Sequence, residues 1–179
     1  MGRTADYSNQ DCSVAATLEV VGDPWTLLIL RDAFLGLTRF EQWRDRLGIA
    51  RNVLAYRLKT LVAEGLLERQ AYCLRPPRYE YRLTEKGRDI YPVLITLRAW
   101  GDRHVYGAGS EPQTYVHQEC GHQVSPELTC GHCQSTLDAG NVIHMRRSKA
   151  EADTGIAPYA PVVAAMKPPP RTRPGSVRS

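Results

Sequence analysis

The sequence predicts a mainly α domain carrying one β-hairpin, with a small extension built around cysteine and histidine, and three observations point to it. Four short helical patterns follow one another between Cys12 and Gly65 with only a few residues between them. Two strand-like runs, "LLERQAYCL" and "RYEYRLT", come next and meet around "RPP". Farther on, "HQECGHQVSPELTCGHC", His117 to Cys133, holds three of the five cysteines and three of the five histidines. At 179 residues the chain has room for one domain of about 100 to 150 residues plus an appendage.

The elements follow in order. "CSVAATLEVVG", Cys12 to Gly22, reads as a helix stopped by glycine, and "PWTLLILRDAFLG" repeats that grammar with proline at its start. The second helix is apolar nearly all round, through Trp25, Leu27, Leu28, Ile29, Leu30, Phe34 and Leu35, which suits a position at the centre of a small domain. A third helix, about Phe40 to Arg46, is joined by "LGI" to a fourth, "ARNVLAYRLKTLVAEG". Two helices separated by a short turn with a glycine make a helix-turn-helix, a DNA-binding arrangement. With the hairpin carrying an exposed basic loop, the fold class is α+β, a helix-turn-helix followed by a β-hairpin. Thr84 reads as the N-cap of one long helix, "EKGRDIYPVLITLRAWGDRH", with an apolar stripe at Ile90, Leu94, Leu97 and Gly101, Val93 and Trp100 beside it, and a kink at Pro92. Such a helix serves dimerisation, although packing against its own core gives the same pattern. From about Arg146 the composition turns to Pro, Ala, Arg and Ser, as in a disordered tail. The expected division is a flexible segment 1–11, a helix-turn-helix and hairpin domain 12–106, a Cys/His extension 107–145 and a tail 146–179.

The formal net charge is +4, and the residues from Met166 onward supply Lys167, Arg171, Arg173 and Arg178 with no acid, so the remainder sums to zero. Any case for nucleic acid therefore has to be local. The N-terminus lacks an apolar signal core, and no run approaches the roughly 18 apolar residues of a membrane span, so a cytoplasmic protein without a membrane partner is expected. Irregularly spaced cysteines suit thiols or metal ligands better than a secreted disulfide framework. No phosphate loop, nucleophile elbow or catalytic metal pattern occurs, and the protein is not expected to be an enzyme.

On a wheel of the fourth helix, Leu54, Leu58, Leu61 and Val62 fall on one side, with Asn52, Tyr56 and Lys59 opposite. Ala55 and Ala63 flank that outer face and permit close approach to a groove, and Arg51 in the first turn can reach base edges or phosphate. Arg57 falls beside the apolar stripe and reads as a structural ion-pair residue. Taken alone, the helix fits a solvated amphipathic surface equally well. The hairpin adds weight: six basic and three acidic residues lie between Glu68 and Arg88, and Arg75 and Arg78 bracket Pro76 and Pro77 at the tip. The candidate DNA contacts are thus Arg51, Asn52, Tyr56, Lys59, Arg75 and Arg78.

These segments, with "G-x-x-W" at Gly22 to Trp25, "RF" at Arg39 and Phe40, "RL-x-x-L" from Arg57, "PPRYEY" and "LTEKG", closely resemble HxlR-type winged helix regulators, relatives of the MarR group. The match spans roughly Cys12 to His104, departing at Ser13, where the family commonly has proline. The resemblance implies a homodimeric repressor or activator on a double-stranded DNA operator with inverted-repeat half-sites, the fourth helix in the major groove, the hairpin as wing and the terminal helices at the dimer interface. Some members use the cysteine equivalent to Cys12 to sense oxidants or electrophiles. Cys12 stands at a helix N-terminus, which favours the thiolate, while Asp11 opposes it; a buried or incidental cysteine is the other reading. A small-molecule effector is a further expectation. The alternative function is a module that uses the winged helix and the extension to dock a protein partner.

In the cluster, His117 and Cys120 form one pair two residues apart, and Cys130 and Cys133 form another. Two such pairs are the usual economy of a structural zinc site, closed by four protein ligands and without room for an activated water. Gly121 and Gly131 suit tight turns, and Pro126 lies near the bend between the pairs. The expectation is a zinc-ribbon-like clip, with His122 and His132 as competitors for the histidine position. Free thiols on a loose segment, or a "CGHC" redox pair lacking the βαβ context it needs, are the other readings.

Overall fold

The computed structural model describes residue 7, residues 9–107 and 109–142, and the short segments 145–146 and 160–161. The expectation for the tail falls almost wholly outside the described residues, as does most of that for the N-terminal segment. The chain divides into two units, Met1–His122 and Gln123–Ser179.

The first unit begins with α1 (Ser13–Val21) and α2 (Pro24–Phe34), which meet at a bend of 77°. Asp23 fixes the start of α2: its Oδ1 accepts from the Trp25 N–H at 3.0 Å, and Pro24 occupies the first helical position, where no donor is needed. α3 (Phe40–Leu47) starts where the Gln42 side chain accepts from the N–H groups of Thr38 and Arg39, at 3.0 and 2.8 Å. It ends at Gly48, whose φ of +61° lies in the left-handed region and turns the chain into α4 (Arg51–Ala63). The hairpin consists of β1 (Leu67–Leu74) and β2 (Pro77–Leu83), antiparallel from Leu67 opposite Leu83 to Leu74 opposite Pro77, with an irregularity between Ala71 and Cys73. A non-local contact widens it: the Tyr81 N–H donates to the Thr38 carbonyl at 2.7 Å, and the backbone of Arg39 pairs with that of Glu80 as an isolated antiparallel β-bridge.

Beyond the hairpin the structure corrects one expectation. The helix read as continuous from Thr84 is two helices, α5 (Glu85–Arg88) and α6 (Tyr91–Gly101), followed by a π-helical turn, Asp102–Tyr106. Thr84 does cap α5, its hydroxyl accepting from the Gly87 N–H at 3.0 Å. Pro92, however, sits in the first turn of α6 rather than kinking a longer helix, because its missing N–H costs nothing where no intrahelical acceptor exists. The apolar stripe also lies differently: Ile95 is the buried residue of α6, while Val93, Leu97 and Trp100 are exposed. Gly87 is constrained by space, since a Cβ there would lie 2.0 Å from the Leu66 carbonyl oxygen.

One core joins these elements: Ile29 and Leu30 of α2, Trp43 of α3, Leu54, Leu58 and Leu61 of α4, and Leu67 of β1. Only one side of α2 is buried; Trp25, Leu27 and Leu28 are half-buried and Leu35 is exposed. Trp43 is fully buried, its Nε1 donating to the Ile29 carbonyl at 3.1 Å and its ring meeting Tyr81 edge-on at 6.2 Å. Asp32, also fully buried, accepts at Oδ1 from Arg31 Nε at 2.9 Å and Arg46 Nε at 3.1 Å, so a charge pair ties α2 to α3.

In the second unit, Leu128 to Leu137 forms a small hairpin in which Thr129 bridges Thr136 and the Leu137 N–H donates to the Leu128 carbonyl at 2.7 Å. Two-residue strands β3 (Met145–Arg146) and β4 (Ala160–Pro161) pair antiparallel. No residue from Gln123 to Val142 is buried.

Replacing Trp43 by alanine is expected to cost about 3–5 kcal/mol of stability, the range for truncating a buried aromatic side chain. Urea unfolding of Trp43→Ala against Trp43→Phe checks it: the phenylalanine variant should retain part of the loss as packing, and equal stabilities for the native and alanine chains would contradict the role given to Trp43.

Candidate nucleic-acid interface

α4 presents two chemically distinct faces. Leu54, Leu58 and Leu61 are buried, while Arg51, Asn52, Ala55, Tyr56, Lys59 and Ala63 are exposed, as a helical period places them. The outer face thus combines an amide of the type able to pair bidentately with adenine, a lysine, a tyrosine and two small alanines.

The structure refines two arginines on this helix. Arg57 pairs with Asp23 Oδ2, both groups mostly covered, and its guanidinium lies 5.2 Å from the Tyr56 ring centroid. It links the cap of α2 to the middle of α4, as the sequence implies. Arg51 has an intramolecular partner that the sequence does not reveal: Nη1 is 3.2 Å from Glu41 Oε1, with the guanidinium 5.1 Å from the Phe40 ring centroid. Both members of that pair are exposed, and such pairs are worth about 0–1 kcal/mol, so exchange of Glu41 for a phosphate is energetically easy.

On the wing, Arg75 and Arg78 are exposed on either side of the tip. Two arginines missing from the sequence reading join the basic surface. Arg69 of β1 lies 3.4 Å from the Tyr79 ring centroid, and Arg39 lies 4.6 Å from that of Tyr72. Their signal is visible only once the strands are in register: Arg69 stands opposite Tyr81, which makes Tyr79 its diagonal neighbour. Stacking on a ring holds a guanidinium extended while leaving its N–H groups available to acceptors.

Cys12 is the N-cap residue of α1, makes no side-chain cap hydrogen bond and is exposed, so the reading of a buried cysteine does not hold. The cysteines of the cluster are free thiols. His117 Nδ1 and Cys120 Sγ are 3.3 Å apart. In the second unit, Cys133 is held below the ordinary thiol range by hydrogen bonds from the Ser135 hydroxyl first, then the Ser135 backbone and the Cys130 side chain. Among the described residues no three His, Cys, Asp or Glu side chains are gathered as a ready metal group; the donors stand as pairs.

A family model for HxlR-like helix-turn-helix proteins matches residues 20–109, half of the chain. The chain belongs to the HxlR-like family. Among curated relatives, the uncharacterized HTH-type transcriptional regulator Rv3095 of Mycobacterium tuberculosis is 45% identical over 130 residues, 73% of this chain and 82% of its own. The uncharacterized HTH-type regulator YdeP of Bacillus subtilis is 34% identical over 55% of this chain and 80% of its own. Among solved structures, PA1607, a candidate transcription factor, superposes with a TM-score of 0.69 at 36% identity, covering 80% of this chain and 98% of that one. PA1374 of Pseudomonas aeruginosa, likewise a candidate transcription factor, gives 0.58 at 37% identity, covering 80% and 99%. This HxlR-like chain is therefore a transcriptional regulator of the helix-turn-helix type. Among its described residues no single helix is long and apolar enough to cross a membrane.

The two faces of α4 make separable predictions. Arg57→Ala should lower stability by on the order of 1–2 kcal/mol, between the values for exposed and buried pairs, whereas Asn52→Ala should change it by no more than about 0.5 kcal/mol. Thermal unfolding of the two variants checks this; equal losses would mean that Asn52 is a packing residue.

Proposed function

We propose that the chain acts in the cytoplasm as a homodimeric DNA-binding regulator on an inverted-repeat operator, with α4 in the major groove and the wing against the backbone. The observation that carries the reading is the outer face of α4, where Asn52, Tyr56 and Lys59 are exposed and take no part in the core. Their chemistry matches base edges and phosphates, and Arg75 and Arg78 add charge at the wing tip.

The homodimer is supported by an apolar surface that one chain leaves uncovered. Val93, Leu97 and Trp100 recur along one face of α6, between 45% and 59% exposed, and Val14 and Leu18 of α1 are exposed as well. A two-fold axis through such a surface would present two copies of α4 to half-sites about 34 Å apart. Effector control has a candidate seat in a cavity of about 280 Å³ between α2 and α6, lined by Leu27, Leu28, Phe34, Tyr91, Leu94 and Tyr115 among others; its walls suit a small apolar molecule. Exposed Cys12 at the start of α1 is the corresponding candidate for an oxidant or electrophile.

Selection from a pool of random duplexes, followed by titration at several salt concentrations, tests the reading. The expected product is a two-part site bound in a salt-sensitive manner. Asn52→Ala with Lys59→Ala should weaken binding by at least about tenfold, and Arg75→Ala with Arg78→Ala should weaken it across sequences while reducing the salt slope by about 2. No enriched sequence would favour protein docking instead. Leu97→Arg with Trp100→Arg should give a monomer in sedimentation and binding of the strength of one half-site; an unchanged dimer would place the interface elsewhere.

A further inference from the structure

The carboxylate of Asp23 serves two elements at once. Its Oδ1 accepts from the Trp25 N–H at 3.0 Å and so caps α2, which leaves Oδ2 to pair with Arg57 Nη2 of α4. Because the cap fixes the carboxylate, the guanidinium is fixed as well: only 19% of the Arg57 side chain and 24% of the Asp23 side chain reach solvent. A pair this well covered is screened far less than the exposed pair of Arg51 with Glu41.

Arg57 Nε is buried, and no group among the described residues accepts a hydrogen bond from it. A buried N–H without an acceptor is costly, and the electron-rich face of an aromatic ring is a partner that offsets part of that cost. Such a ring stands beside it: the Arg57 guanidinium lies 5.2 Å from the centroid of the Tyr56 ring. Tyr56 itself is 57% exposed, on the outer face of α4 with Asn52 and Lys59. An exposed tyrosine without such a neighbour moves among its rotamers within nanoseconds, and ordering it on a duplex then costs affinity.

We propose that Asp23 and Arg57 are positioning residues for DNA contact: the cap of α2 anchors Arg57, and Arg57 holds the Tyr56 ring ordered on the surface that meets the duplex. The inference rests on the reading of α4 as the DNA-contacting helix, and it adds a part for two residues that do not themselves reach the duplex. The ordered ring presents its phenol to a phosphate or a base edge, and the duplex does not have to immobilise it. At the strength of a cation–π contact near a surface, losing this order weakens binding about two- to fivefold.

A double-mutant cycle in the full-length chain, titrated with a selected duplex, tests it, with Asp23→Ser and Arg57→Lys each made alone and together with Tyr56→Ala. Serine keeps the helix cap while releasing Arg57, and lysine keeps a charge for Asp23 without the planar guanidinium. Each should weaken binding about two- to fivefold in the native background and change nothing further beside Tyr56→Ala, since the ring that they position is gone. Thermal unfolding confirms that each variant is folded at the temperature of the titration. A displacement of α4 as a whole would instead lower affinity equally in both backgrounds; that result, or no loss in either, overturns the proposal. Native-strength binding by Tyr56→Ala overturns it too, while weakening by Asn52→Ala with Lys59→Ala would leave the DNA reading intact. A pool from which no duplex is enriched removes the DNA reading and the proposal together.

Discussion

Trp43 is the side chain on which the placement of α4 depends. It is fully buried in α3, its indole N–H is satisfied by the Ile29 carbonyl of α2, and its ring edge meets Tyr81 of the wing. A large apolar group with one hydrogen-bond donor, buried at a junction of three elements, leaves few arrangements that satisfy both packing and polarity. α4 then packs against the same core through Leu54, Leu58 and Leu61, and its polar side has nowhere to face but outward. Two charge pairs refine the arrangement. Buried Asp32 joins α2 to Arg46 of α3, and Asp23, already the cap of α2, reaches Arg57 of α4.

The wing is coupled to this centre by backbone as well as side chains. The Thr38–Tyr81 hydrogen bond and the Arg39–Glu80 bridge place the entry to α3 beside β2, while Gly87 lets α5 approach the Leu66 carbonyl more closely than any side chain would allow. A helix-turn-helix regulator needs its hairpin and its second helix-turn-helix helix held in fixed relation, because base contacts tolerate little misplacement.

The parts of the fold governed by local periodicity were readable from the sequence. The faces of α4 follow from leucine spacing, Thr84 from its position before a helix, and Arg57 from its angle on the wheel. The rest depends on non-local facts. The break between α5 and α6 escaped because Asp89 and Ile90 are unremarkable in a helix and Pro92 fits a kink as well as a start. Ile95 lies off the stripe of Ile90, Leu94 and Leu97 that the spacing suggests, because the core takes an adjacent face of α6. The buried charge of Asp32 depends on Arg46 arriving from another helix, and the stacking of Arg39 and Arg69 depends on strand register. In the Cys/His cluster the donor spacing was legible. The left-handed backbone of Gln134 was not, since nothing about glutamine announces it.

The proposed contact of DNA with one face of α4 and with the wing tip is tested by amide chemical shifts of the labelled protein titrated with a selected duplex. The largest shifts are expected at Asn52, Tyr56, Lys59 and the residues around Arg75 and Arg78, with amides of the core helix α2 little changed. Shifts centred on another surface, or none at α4 and the wing on saturation with the duplex, would contradict it.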